Sequence, residues 1–265
     1  MQQKFKVSER RACRLIRLNR TAFRYQSKRD NTETKRLICL LSEQYPRYGY
    51  RKIWHLLKRR GVGINKETVR AIRKSVGLQV PRKQRRRRAL GKRQELKKAE
   101  YVNHVWSWDF MFDATTSGRK LKLLNIIDEY TRECLVSYAA RTITARDVFR
   151  QLQMCFAQRG LPTFIRSDNG PEFVAHHIRD NLAAFKVETM YIEPGSPWQN
   201  PYIESFNSIV RDNILNRYLF FTPREAQIIL DQFKSEYNLI RPHGALDGQS
   251  PTTFYERISE KKKCA

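Results

Sequence analysis

Three carboxylates stand at points where folding could bring them to one place. Asp109 falls in Trp-Ser-Trp-Asp-Phe, Asp168 in Arg-Ser-Asp-Asn-Gly-Pro-Glu-Phe, and Glu204 in Gln-Asn-Pro-Tyr-Ile-Glu-Ser-Phe-Asn. Carboxylate oxygens are hard ligands that suit Mg²⁺ or Mn²⁺, ions commonly held by a few protein acids, water and a substrate phosphate. Two such ions, about 3.5–4 Å apart, can activate a hydroxyl and stabilise the leaving oxygen of an in-line displacement. No Ser–His–Asp arrangement, glycine-rich phosphate loop or cysteine nucleophile motif competes for that role. The five histidines and five cysteines show no zinc-ligand spacing, and the cysteines read as reduced structural thiols. From spacing alone, three surface acids remain an alternative, because Asp113, Asp128, Glu129 and Glu172 lie nearby. Asp128-Glu129 reads as the solvated start of a hairpin.

The charge pattern says what such a site would face. The chain carries 52 basic and 26 acidic residues, a net charge of +26 over 265 residues. Residues 1–100 hold 32 Lys/Arg against 7 Asp/Glu, and residues 101–265 hold 20 against 19. A basic half joined to a nearly neutral half fits a nucleic-acid-binding region beside a globular enzyme. No long apolar run or signal sequence is present, so a soluble, cytoplasmic and nucleoid-associated protein is expected, with no membrane partner.

The elements that must position the acids follow from caps and periodicity. Ser8 and Asn19 can cap two short helices, with Ala12, Leu15 and Ile16 on one side of the first, a pattern that fits a helix-turn-helix or an ordinary basic hairpin. Helices are predicted over 33–44 and 49–60, with a third capped by Asn65 and stopped at Gly77; their apolar faces should meet and leave the cations outward. Residues 1–78 form this basic helical region. Residues 79–99, including Arg85, Arg86, Arg87 and Arg88, have almost nothing to bury and read as a linker able to contact phosphate.

Beyond residue 100 the period changes. His104–Phe112 alternates, with Trp106, Trp108, Phe110 and Phe112 on one face and Asp109 on the other. Strands at 121–127 and 133–139, a helix opened by Thr144 and Asp147, and strands at 163–167 and 187–192 follow, with a helix over 171–185 between the last two. Asn200 can cap a helix with Pro201 at its first position, and a last helix spans 223–239. On the helix after Asn200, Ile203, Phe206, Val210 and Ile214 should be buried, while Glu204, Ser208, Arg211 and Leu215 share a neighbouring side. This is an α/β domain on a mixed sheet, with the acids at 100–260 and a basic tail at 261–265. Asp168, after a strand, lies where open sheets place their ligands. Gln199 and Asn200, in the loop before Glu204, either approach DNA or pack and cap.

These residues resemble the DDE transposases encoded by the second reading frame (OrfB) of insertion sequences of the insertion-sequence-three family, relatives of retroviral integrases. The motifs around Asp109, Asp168 and Glu204 carry the likeness, with thirty-five residues between the last two acids and Arg211 seven residues after Glu204. Tyr237-Asn-Leu-Ile-Arg-Pro-His-Gly-Ala-Leu with Ser250-Pro251 resembles the family's closing motif, and Tyr45-Pro-Arg-Tyr-Gly-Tyr-Arg its amino-terminal helical region. The resemblance implies an RNase H-like core with a mixed five-stranded sheet. In that core Asp109, Asp168 and Glu204 would hold two Mg²⁺ or Mn²⁺ ions and catalyse DNA cleavage and strand transfer. Asn169, Gln199, Asn200, Arg211 and the arginines at 85–88 would meet DNA. A homo-oligomer in a synaptic complex is implied, as is the upstream first-frame (OrfA) product as fusion or partner. Two departures stand out: Arg166 where a histidine usually precedes Ser-Asp-Asn-Gly, and Pro201 where alanine is common. A DNA-binding regulator or inactive remnant is the alternative that the intact acids argue against.

Overall fold

The computed structural model describes residues 7–25, 32–81, 98–167, 176–193 and 199–263. Two short helices come first, α1 (Glu9–Leu15) and α2 (Arg20–Phe23), capped by the Ser8 and Asn19 side chains as expected. The apolar side expected for α1 is only partly used. Ala12 is buried, but Leu15 and Ile16 are exposed, because α1 and α2 pair with each other and with little else.

The next three helices, α3 (Thr32–Gln44), α4 (Tyr50–Arg59) and α5 (Lys66–Ser75), close on Ile38, Leu41, Tyr48, Ile53, Leu57 and Val69. Asn65 accepts from the Glu67 N–H and caps α5, and Gly77 follows that helix with φ +72°. Trp54 packs against this core while its indole N–H donates to the Ile64 carbonyl. One cation does not join the outward rim. Arg73 is buried and donates to the Tyr48 carbonyl at 2.6 Å, fastening α5 to the turn between α3 and α4.

A five-stranded mixed sheet forms the second half, in the order β3-β2-β1-β4-β5. Its strands are β1 (Val105–Ala114), β2 (Lys120–Asp128), β3 (Cys134–Ala140), β4 (Phe164–Ser167) and β5 (Glu188–Tyr191). The first three pair antiparallel; β4 and β5 add in parallel beside β1. One face carries α6 (Ala145–Arg159), opened by the Thr144–Asp147 capping box, and α7 (His176–Ala184), which bury Trp106, Trp108, Leu124, Ile126 and Ile165. Phe112, the last aromatic of the alternating series, is exposed near the far end of β1.

The other face carries α8 (Pro201–Val210) and α9 (Pro223–Leu239) over Met111, Leu121, Leu123 and Ile127. A π-helical turn at Arg211–Leu215 continues α8. Such a turn inserts a residue and rotates everything after it. Leu215 is therefore buried beside Ile214 and does not share the side of Glu204. The chain also does not end its helices at 239: a 3₁₀ turn at Gly244–Leu246 and α10 (Pro251–Lys263) follow, the latter running into the segment expected as a tail.

The two outer motifs meet. Tyr48 donates its hydroxyl to Glu236 at 3.0 Å, and the Arg59 guanidinium donates to the carbonyls of Ile240 (2.9 Å) and Gly248 (2.7 Å). The Arg241 guanidinium lies over the Tyr48 ring. Gly248 has φ +77°, and a Cβ there would stand 2.0 Å from the His55 ring, so only glycine permits this approach. No helix among the described residues is long and apolar enough to cross a membrane.

Candidate active site

Asp109 lies on β1 with its side chain on the α8 face, half-buried. Its Oδ1 accepts the Phe110 N–H at 2.8 Å, and its Oδ2 accepts from Asn207 Nδ2 at 2.8 Å. Asn207 is on α8, one helical turn after Glu204, so the two lie on adjoining parts of one helix surface. This bond fastens the Glu204 turn against the strand that carries Asp109. Glu204 is half-buried in the first turn of α8, where the helix N-terminus favours a carboxylate. Arg211 is exposed and donates to the Phe112 carbonyl at 3.2 Å, three residues beyond Asp109 on β1. Asp109, Glu204, Asn207 and Arg211 thus follow one seam between β1 and α8.

Asp168 and Asn169 lie outside the described residues, as do Arg85, Arg86, Arg87 and Arg88. The described chain reaches Ser167, fully buried at the end of β4, with Arg166 in parallel register opposite Ser107 of β1. Only Trp108 lies between Ser107 and Asp109 in the chain. Among the described residues no group of three metal-ligating side chains occurs.

Gln199 and Asn200 are turned inward. Gln199 Oε1 accepts the Glu193 N–H at 2.8 Å, and Asn200 Nδ2 donates to the Trp108 carbonyl at 3.4 Å. Both are buried, so in this conformation Asn200 ties the start of α8 to β1, Gln199 ties it to the segment after β5, and neither offers DNA much surface. Asn200 does stand at the helix N-cap with Pro201 following, but its side chain makes no capping bond.

The pair Asp128-Glu129, expected in solvent, is buried. Asp128 accepts the N–H groups of Asn103, Tyr130 and Thr131, which hold the tight turn after β2. Burial raises its carboxyl above the ordinary range, against those three donors. Glu129 accepts from the Ser107 hydroxyl and lies 3.1 Å from Arg166 Nη1, with both charged side chains almost wholly enclosed. Burial pushes Glu129 upward while Arg166 pulls it down. Arg166 also donates to the Gln199 carbonyl at 3.4 Å. The arginine that departs from the family pattern therefore has a carboxylate built for it, and their pair joins β2, β4 and the segment leading into α8.

Sequence reasoning assigned no role to Asn207, Asn125, Glu129 or Ser137. Asn207 could have been found as the polar residue three positions after Glu204 in a motif otherwise apolar on that side. Nothing local marks the other three.

Comparison with known proteins matches this mixed sheet with helices on both faces to integrase cores. The intasome structure of simian T-cell lymphotropic virus aligns over 82% of this chain and 73% of that chain, with TM-score 0.51 and 14% identity, a likeness of fold alone. The family model described as Integrase core domain matches residues 99–197, a second of the same description matches 185–251, and an HTH-like domain matches 28–87. That last match falls on the three-helix unit α3–α5 and excludes the short α1–α2 pair. A 31.7 kDa protein of insertion element IS407 from Burkholderia multivorans is 35% identical over 96% of this chain and 92% of its own length. A 39.2 kDa protein of IS476 from Xanthomonas euvesicatoria is 35% identical over 94% of this chain and 72% of its own. The chain belongs to the insertion-element transposases of the integrase-core, OrfB type.

Proposed function

We propose that this transposase cleaves DNA at the ends of an insertion sequence and joins the exposed 3′-hydroxyls to target DNA. In this reading Asp109, Asp168 and Glu204 are the ligands of two Mg²⁺ or Mn²⁺ ions. The observation that carries it is the Asn207–Asp109 hydrogen bond, which ties the helix turn bearing Glu204 to the strand bearing Asp109. The donor set fits the ions: hard carboxylate oxygens, with those of Asp109 oriented by the Phe110 N–H and the Asn207 amide. When bound, two such ions supply a nucleophilic oxygen and neutralise developing charge on the leaving one. The protein's own share is to aim those carboxylates and to hold the phosphodiester.

Arg211, exposed beside the seam, is suited to a backbone phosphate. The HTH-like region and the arginines at 85–88 supply the remaining contacts to DNA, and Asn169 adds one beside Asp168. Tyr48 of the α3–α4 turn and Arg59 at the end of α4 join the HTH-like region to residues 236–248. Two element ends must be joined in one event, which calls for a second copy of the chain in a synaptic complex; the upstream OrfA product is a further candidate partner.

Asp168→Asn and Glu204→Gln test the assignment. Each should keep binding to DNA carrying the element's ends and lose both cleavage and joining by at least about 10³-fold, the scale of losing a transition-state charge partner. Either variant showing full activity on end substrates refutes the metal-ligand assignment.

A further inference from the structure

Beneath Asp109 runs a row of polar side chains through an otherwise apolar layer. Asp109 of β1 stands opposite Asn125 of β2, and Asn125 opposite Ser137 of β3. All three lie on the face covered by α8, surrounded by Met111, Leu123, Ala139, Ile203 and Phe206. Asn125 is fully buried and Ser137 nearly so. Their hydrogen bonds form one directed series. Ser137 Oγ donates to Asn125 Oδ1 at 2.9 Å, Asn125 Nδ2 donates to Asn207 Oδ1 at 2.8 Å, and Asn207 Nδ2 donates to Asp109 Oδ2 at 2.8 Å.

The direction is forced. A carboxylate can only accept, so Asn207 must turn its NH₂ toward Asp109 and its oxygen away. That oxygen needs a donor, which only the NH₂ of Asn125 supplies in this row. The Asn125 oxygen then faces β3, where the Ser137 hydroxyl closes the series. Were Asn207 reversed, its oxygen would meet the carboxylate and drive it off the position it now holds. The two neutral hydrogen bonds of the row replace bonds to water and add little net stability, and an apolar pair could pack in place of Asn125 and Ser137. What the row does supply is a single orientation for the Asp109 carboxylate.

We propose that Asn125 and Ser137 are positioning residues for Asp109, acting through the Asn207 amide to hold the carboxylate in its metal-binding orientation. This rests on the reading of Asp109 as a ligand. Partners that orient metal ligands, when lost, commonly cost about 10–100-fold in metal affinity or activity.

The test compares the whole chain with Asn125→Leu/Ser137→Ala, Ser137→Ala and Asp109→Asn. Mn²⁺ binding is followed from the electron paramagnetic resonance signal of the free ion. Nicking of a supercoiled plasmid carrying the gene's own flanking DNA is then measured across Mn²⁺ concentration. The double variant should melt cooperatively and bind DNA as wild type. Its Mn²⁺ affinity should fall about tenfold, with half-maximal nicking displaced by the same factor and the rate recovered at saturating Mn²⁺. Ser137→Ala should show a smaller loss in the same direction. A merely structural role would lower the melting temperature without moving the metal dependence. Wild-type Mn²⁺ affinity in the double variant, while Asp109→Asn abolishes both readouts, overturns the inference and leaves the ligand reading standing. If Asp109→Asn changes neither readout, both fall together. Should the double variant not fold, Ser137→Ala decides, and unchanged affinity there counts against the proposal.

Discussion

Removing either member of the Arg166–Glu129 pair should destabilise the core far more than removing both. The two charged side chains are 2% and 0% exposed and lie 3.1 Å apart. At an effective dielectric constant of about 20, charges at that distance attract by about 5 kcal/mol, which offsets the cost of taking both from water. Arg166→Met leaves Glu129, among the described residues, with the Ser107 hydroxyl and the more distant field of Arg132 to support its charge. Glu129→Leu takes its carboxylate partner from the buried guanidinium, which keeps the Gln199 carbonyl among its acceptors. Each change should cost about 3–5 kcal/mol, against a total stability of about 5–15 kcal/mol. The double replacement by apolar residues of similar size removes both desolvation costs and should return to within about 1–2 kcal/mol of wild type. Urea unfolding followed by circular dichroism measures all four proteins under one condition. Single variants that each lose under 1 kcal/mol, or a double variant that loses the sum of the two, would show that the pair is not coupled in a dry site.

Two further perturbations address the joint between the helical region and the core. Gly248→Ala places a side chain at φ +77° and 2.0 Å from His55, so it should cost at least about 1–2 kcal/mol from backbone strain alone; adding His55→Ala should recover only the steric part, read as melting temperature. His243 is pushed down to about 3 by burial and by Arg241, Lys52 and other nearby cations. Because its folded value lies below the unfolded one, the unfolded chain binds the proton first, and stability is lost as pH falls below about 6.5. By pH 5 that loss is about 2 kcal/mol. His243→Leu should therefore lose about 2 kcal/mol less than wild type between pH 7 and pH 5; equal losses in the two proteins would place the imidazole in water.

The chain's local grammar was open to reading because it depends on neighbours in sequence. Ser8, Asn19, Asn65 and Thr144 cap the helices that follow them because each side-chain oxygen reaches an N–H two or three residues on. The alternation of 104–112 marks β1, and the glycine after α5 marks its end. The three acidic motifs raise the expectation of metal-assisted phosphate chemistry without any structure, since hard oxygens beside a basic half suit few other tasks. Burial of charge could not be read in the same way. Asp128-Glu129 looks like any solvated hairpin start until Arg166 arrives from β4 and the backbone N–H groups of 103, 130 and 131 turn inward. Arg73 looks like one more surface cation until the Tyr48 carbonyl accepts it.

The site divides along the same line. Sequence alone named the three candidate acids, and the strands and helices around them. Only tertiary structure decided that Asn207 would face Asp109, that Asn125 and Ser137 would stand beneath it in one register, and that Gln199 and Asn200 would turn away from solvent. The physical reason is that a hydrogen bond's direction and a charge's solvation are set by what lies opposite in space. Cross-strand register and helix docking bring those groups together from parts of the chain that share no local pattern.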